Sequence, residues 1–262
     1  LVRPPLWQLP PGVSPGTWDY THNQSIADTY ETFLAGTPLV QADLRWVQDA
    51  LPPPRQGEPT LVADLGCGNG RSAIPLAAQG YRVWGLDLSQ PMLQSMLAAA
   101  AQQQVEVWPL RVNLVQLDGI GDQVVDHAVC LFSTLGMIRG RKHRRRFLAQ
   151  VHRIVRPGGV LIVHAHNRLS WLRHPGGLRR TLASAWKALT SDDDFGDHVY
   201  AYRNLADMYL HSFSARELAA DLRAAGWQID RWKRVSLTGD RLLKSHEVTI
   251  AGGFFVVCQR SA

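Results

Sequence analysis

The sequence predicts an α/β fold: a doubly wound, mostly parallel sheet with an antiparallel terminal strand, an N-terminal helical cap and an inserted lid. Three observations carry that prediction. From about residue 60, strand-like apolar runs alternate with helix-like segments, the pattern of parallel strands joined by crossover helices. A glycine-rich stretch, VADLGCGNGRSA at 62–73, lies where the first of these runs becomes a helix. Two strand candidates close the chain, and adjacent terminal strands often pair antiparallel.

A chain of 262 residues with 45% hydrophobic content can bury one substantial core. We divide this single domain into an N-terminal arm and helical cap (1–54), a cofactor-binding core (60–167), an inserted lid (168–211) and a C-terminal helix with strands (212–262). The first 16 residues, rich in proline and glycine, predict an extended arm. Helical spacing through Ile26, Tyr30, Phe33, Leu34, Leu44 and Val47 predicts the cap, which ends at Pro52, Pro53 and Pro54 because consecutive prolines remove amide donors. LVADL, YRVWGLD, VEVWPLRV and DHAVCLF follow as strands, with a helix from about Arg71 to Gln79 and another after Ser89, an N-cap followed by Pro91 in the first turn. The RPGG of 156–159 predicts a turn into GVLIVHAH. Ser214 and Glu217 form a capping-box pattern before LAADLRAAG, and QIDRWKRVS and TIAGGFFVVC are the last strands. The lid combines the helix-like TLASAWKALT, the acidic SDDDFGD and several aromatics; an insertion after a strand's carboxyl end emerges where α/β sheets bind ligands.

Composition narrows the setting. No apolar run approaches the roughly 18–20 residues of a membrane span, and the start lacks the apolar segment of a signal peptide, so a cytoplasmic protein without membrane association is expected. Cys67, Cys130 and Cys258 are far apart and in apolar or glycine-rich surroundings, which predicts reduced, buried thiols. The net charge of +6 is local, because residues 139–156 hold eight of the 28 Lys and Arg and no acid. That patch is either a solvated helix face or a surface for phosphates. The acids at 192–194 lack the context of a metal site, and no metal is expected.

The glycine loop reads GxGxG, with Arg71 where a dinucleotide-binding loop would place its third glycine. Asp64 would repel a pyrophosphate but favour a ligand carrying an ammonium and a sulfonium, such as S-adenosylmethionine. Asp87 closes the next strand at the distance expected of a ribose ligand.

Through VADLGCGNGRSA, YRVWGLDLSQPML, DHAVCLFSTLGMI, RPGGVLIVHAH and HSFSARELAADLRAAGW, in that order, the chain resembles the class I S-adenosylmethionine-dependent methyltransferases over roughly residues 20–258. The resemblance implies a Rossmann-like fold and transfer of a methyl group, leaving S-adenosylhomocysteine. It implies that Gly66, Gly68 and Gly70, with Cys67 among them, let backbone approach the methionine moiety. Asp64 would hold its amine, Asp87 both ribose hydroxyls, and Leu88 the adenine. Asn113 and Leu114 stand where the family has an acid and a small residue for the adenine amino group, with Asp118 a nearby competitor. Phe132 and Ser133 would face the methyl, and Tyr30 resembles a cap tyrosine over the cofactor carboxylate.

A base is needed only for an acceptor that is protonated at working pH. His166, at the end of its strand in line with His164, and His211 are the candidates. The favoured acceptor is a small metabolite under a lid that offers Trp171, Trp186, Phe195 and Tyr200. RNA held by the basic segment 139–156, which is consistent with a faint likeness of YLHSFSARELAADL to tRNA wobble-uridine methyltransferases, is the alternative. A non-catalytic S-adenosylmethionine-binding protein is a third reading.

Overall fold

The computed structural model describes residues 3–55 and 57–261. Five strands, β1 (Leu61–Leu65), β2 (Arg82–Asp87), β3 (Trp108–Arg111), β4 (Val125–Cys130) and β5 (Val155–His166), pair in parallel in the order β3–β2–β1–β4–β5. The chain moves outward from β1 to β3 and returns on the other side for β4 and β5. A crevice therefore opens above the carboxyl ends of β1 and β4, where strand order reverses. Every residue of β4 is buried, as expected of a central strand covered on both faces.

Helices α1 (Pro15–Thr21), α2 (Gln24–Asp28), α3 (Tyr30–Leu34) and α4 (Pro38–Ala50) precede the sheet. Between strands lie α5 (Ala73–Ala78), α6 (Gln90–Gln102), α7 (Thr134–Met137) and α8 (Arg141–Ile154). Ser89 caps α6 through the Met92 amide, as its sequence predicts. One core layer joins Phe147, Leu148, Val151 and Ile154 of α8 to the sheet; the opposite layer joins Val47 of α4, Leu76 of α5 and Met96 of α6.

After β5 come a 3-10 turn (Arg168–Arg173), α9 (Gly177–Thr190) and a separate hairpin, β6 (Asp197–Tyr202) with β7 (Leu205–His211). Then follow α10 (Ala215–Ala224), β8 (Trp227–Val235), β9 (Leu242–Leu243) and β10 (Gly253–Arg260). The final strand inserts between β5 and β8, antiparallel to both, so the mixed sheet has eight strands.

The doubly wound architecture, helical cap and antiparallel end agree with expectation; four details differ. The arm is not extended throughout: it makes a 3-10 turn at Leu6–Gln8 and enters α1 at Pro15, capped by Ser14. The 23–50 segment is three helices, not one continuous run, with Pro38 opening the third. RPGG is a bulged entry to β5 in which Gly158 takes φ +78°, and a Cβ on Gly159 would meet the Asp126 carbonyl at 2.3 Å. About a third of the lid is a hairpin: β6 alternates half-buried with exposed residues and buries none fully, which hides a strand among scattered aromatics. Gly16 lets α1 press against the Asp207 carbonyl of β7, where a Cβ would come within 2.1 Å. Cap and hairpin thus pack directly against each other.

Candidate active site

The switch-point crevice holds a cavity built from three chain turns. The first is the loop after β1. Amides of Gly66 and Cys67 donate to the Leu86 carbonyl at 2.7 and 3.1 Å, tying the loop to the end of β2. Gly66 takes φ +78°, and a Cβ there would meet Thr134 at 2.4 Å, so only glycine allows this turn to lie against α7. The second turn follows β2. Asp87 accepts the Gly68 amide on Oδ2 at 2.9 Å and the Ser89 amide on Oδ1 at 2.8 Å, so one carboxylate braces both turns. Each oxygen retains a lone pair for a further donor. The third turn follows β4, where Phe132 (φ 51°) and Ser133 (φ 63°) are successive non-glycine residues in the left-handed region. Such conformations cost about 1–3 kcal/mol each and concentrate at functional sites.

Asp64 sits below the loop, 1% exposed, and accepts the Ser72 hydroxyl at 2.6 Å. Burial pushes its carboxyl up to about 6, against the Ser72 hydrogen bond and the attraction of Arg71. Arg71 does not neutralise it directly, because its guanidinium grips Asp43 of the cap at 2.5 and 2.9 Å. Burial also raises the Asp87 carboxyl, opposed by the amides it accepts. The site thus presents two buried carboxylates without a direct cation, and Asn69 Oδ1, which is buried with no hydrogen-bond partner. These groups fit an ammonium and a ribose diol, and would repel a pyrophosphate.

Ten of the twelve residues expected at the cofactor line the cavity: Tyr30, Asp64, Gly66, Cys67, Gly68, Asp87, Leu88, Asn113, Leu114 and Phe132. Gly70 does not; at φ +86° it seats the loop on α6, where a Cβ would meet Met96 at 2.5 Å. Ser133 is also withdrawn, its hydroxyl accepting the His166 amide at 3.1 Å and joining the ends of β4 and β5. Asn113 spends its Oδ1 on the Val115 amide and donates from Nδ2 to the Pro11 carbonyl, pinning the arm. Asp118 lies outside, paired with Arg146 and Gln150.

The two candidate bases separate. His211 is fully buried away from the cavity, with Nδ1 2.6 Å from Asp197 and Nε2 2.9 Å from Glu217, so neither nitrogen is free for a substrate. Burial alone would raise the Asp197 carboxyl, but hydrogen bonds from His211 and Tyr209 hold it below its ordinary value. Glu217 therefore reaches His211 and Arg168 instead of closing the capping box its spacing suggests. His166 does not line the cavity either: it lies behind the Phe132–Ser133 turn, its amide donating to the Ser133 hydroxyl at 3.1 Å and its ring 5.3 Å from that of His164. Burial holds its imidazole down to about 4.

Sequence reasoning missed the roof. Gly12 and Val13 of the arm, with Thr17, Tyr20 and Thr21 of α1, line the cavity from above. The Ser14–Pro15 cap signal could have revealed the helix, but not that it folds over the sheet edge. Of the lid aromatics, Trp171 is buried and Tyr200 packs beside Tyr30 and Tyr202, whereas Trp186 is 68% exposed and does not line the cavity.

The basic segment is largely neutralised. Seven of its eight cations lie within 4.0 Å of a carboxylate, Lys142 being the exception among the described residues. Arg144, wholly buried, meets Asp194 at 2.8 Å and lies near Asp197 and Glu217, so it ties α8 to the lid and α10.

The profile of a family described as a methyltransferase domain matches residues 62–159. YqeM of Bacillus subtilis, provisionally named a methyltransferase, is 26% identical over 144 residues, 55% of each chain. The ubiquinone biosynthesis O-methyltransferase of Rickettsia conorii is 30% identical over 107 residues, 41% of this chain and 35% of that one. These matches span about half, or less, of the length of the curated relatives. In fold, the Burkholderia thailandensis 1,6-didemethyltoxoflavin-N1-methyltransferase, solved with 1,6-didemethyltoxoflavin and S-adenosylhomocysteine, superposes with a TM-score of 0.61 at 18% identity, covering 97% of this chain and 93% of that chain. Glycine loop, paired carboxylates, switch-point cavity and matching family profile lead to one assignment: residues 62–159 form a class I S-adenosylmethionine-dependent methyltransferase domain.

Proposed function

We propose that this chain transfers the methyl group of S-adenosylmethionine to a small-molecule acceptor held between the core and the roof formed by its own arm and α1. The observation that carries this reading is that roof: Gly12, Val13, Thr17, Tyr20 and Thr21 cover the cavity, a geometry that admits a small ligand better than a polymer. The names of the Rickettsia and Burkholderia proteins, which refer to small molecules, support the same acceptor class. RNA finds less support, since the paired arginines of 139–156 leave little free charge for phosphates.

In this reading Asp64 takes the cofactor's ammonium and Asp87 its ribose hydroxyls. Gly66 and Gly68 bring backbone to the methionine moiety, and Leu88, Asn113 and Leu114 border the adenine. Tyr30 closes over the carboxylate end. Bound there, the cofactor would supply a methyl already activated on a sulfonium. The chain's own work is to align an acceptor lone pair beside Phe132 and exclude water with Tyr20, Tyr30 and the arm. Where the acceptor carries a proton, we assign His166 to take it. With its imidazole held near 4 it is neutral at pH 7, and it suits an acidic hydroxyl better than an ammonium.

Incubation with methyl-labelled cofactor and fractionated cell extract tests the proposal. Label is expected in the small-molecule fraction. Label in RNA or protein overturns the acceptor class, and no label in any fraction favours a non-catalytic binder.

A further inference from the structure

The strongest feature outside the cavity is the outer face of α9. Leu178, Leu182, Trp186 and Leu189 are 64%, 62%, 68% and 83% exposed. At about 100° per residue they fall within an arc of roughly 80°, one continuous apolar stripe turned to solvent. The helix is seated by its other side: Ser184 accepts the Gly196 amide at 3.0 Å, and Gly177 packs so closely on the Trp171 carbonyl that no Cβ would fit. Leu169 and Leu172, exposed in the preceding 3-10 turn, extend the apolar surface.

Charge distinguishes this face from the basic helix α8. Residues 168–190 contain no acid. Arg173, Arg179, Arg180 and Lys187 are exposed, and among the described residues none has a carboxylate within 4.0 Å. The arginines of α8, by contrast, are paired. Arg179 edges the apolar stripe, and Lys187 and Arg180 lie farther round the helix; an apolar stripe with unpaired cations on its flank is the pattern of a helix lying in the plane of an anionic membrane surface, with tryptophan at the headgroup level.

We propose that α9 docks this protein on an anionic lipid bilayer, its Leu178–Leu182–Trp186–Leu189 stripe entering the headgroup boundary and its cations meeting the headgroups. Such docking is peripheral: no helix among the described residues is long and apolar enough to cross a membrane, and the 14 residues of α9 extend about 21 Å, suited to lying flat. It modifies the sequence expectation of no membrane association, which rested only on the lack of a span. A second copy of the chain is a poorer occupant, because a two-fold contact sets the same unpaired cations against themselves. The proposal is independent of methyl transfer.

Flotation of the full chain tests it, using vesicles of phosphatidylcholine alone and vesicles containing about one-third phosphatidylglycerol. Binding is expected only to the anionic vesicles, declining as salt screens the cations. The double variants Leu182→Glu/Trp186→Glu and Arg179→Glu/Arg180→Glu should each bind at least about tenfold more weakly. Both should keep wild-type melting temperature and S-adenosylhomocysteine affinity, since these side chains are exposed. Absence of wild-type flotation, equal flotation on neutral vesicles, or unchanged flotation of both variants overturns the proposal. A concentration-dependent dimer that Leu182→Glu/Trp186→Glu dissolves also overturns it and assigns the stripe to a second copy. Affinity for S-adenosylhomocysteine, measured on the same samples, reports separately on the methyltransferase reading.

Discussion

Replacing Asp64 by asparagine is expected to stabilise the protein while weakening cofactor binding. Asp64 is 1% exposed on β1, and burial moves its carboxyl from the ordinary 3.8 to about 6, despite the Ser72 hydroxyl at 2.6 Å. A carboxyl raised in the folded state binds its proton more tightly there than in the unfolded chain. The stability it confers is present below the unfolded value and is lost as pH rises through about 6. At neutral pH the folded protein therefore carries a penalty of about 3 kcal/mol for holding the charge. Asparagine has the same shape, keeps an oxygen for Ser72 and cannot ionise. Urea denaturation at pH 7.5 should show a gain of about 1–3 kcal/mol for Asp64→Asn, shrinking towards pH 4.5. In the proposed function the ammonium of the cofactor is the partner this charge lacks, and a hydrogen bond to a charged group contributes about 1.5–3 kcal/mol. Calorimetric titration with S-adenosylhomocysteine at pH 7.5 should therefore show roughly 10–100-fold weaker binding to the variant. Wild-type affinity should fall between pH 7.5 and 5.5 as Asp64 protonates, and the variant should lack that loss. Wild-type affinity in the variant, or a loss of stability at pH 7.5, would refute the argument.

Two further outcomes are expected. Asp87→Ala removes both the proposed ribose ligand and the brace between the Gly68 and Ser89 amides, so affinity for S-adenosylhomocysteine should fall at least about 100-fold in the same titration; a change below threefold would remove Asp87 from the site. Arg144→Ala leaves Asp194, Asp197 and Glu217 without their buried cation and should destabilise the protein by about 3–5 kcal/mol in urea; a loss under 1 kcal/mol would mean that this network does not anchor the lid.

The parts legible in the sequence share a local cause. The GxGxG loop, Asp64, Asp87 and the Ser89 cap lie within one strand–loop–strand–helix unit, so spacing along the chain nearly fixes their spacing in space. The same holds for the central parallel strands, whose continuous apolar runs need no partner to be recognised. That Gly70 lies outside the cavity lining is hidden in the sequence, because a positive-φ glycine beside a ligand and one beneath a helix read alike there; only the position of Met96 separates them. His211 was misassigned for a related reason, since a histidine before a helix looks available until Asp197, fourteen residues away, closes on it.

What the sequence alone determined is thus the cofactor class and the winding of the sheet, because neighbouring residues encode both. Tertiary structure decided the rest. It folded Gly12, Val13 and α1 over the crevice, set β10 between β5 and β8, neutralised the arginines of α8 with acids from distant segments, and left the stripe of α9 uncovered. Each of these outcomes depends on which surfaces meet across tens to hundreds of residues, a pairing that local periodicity and propensity do not specify.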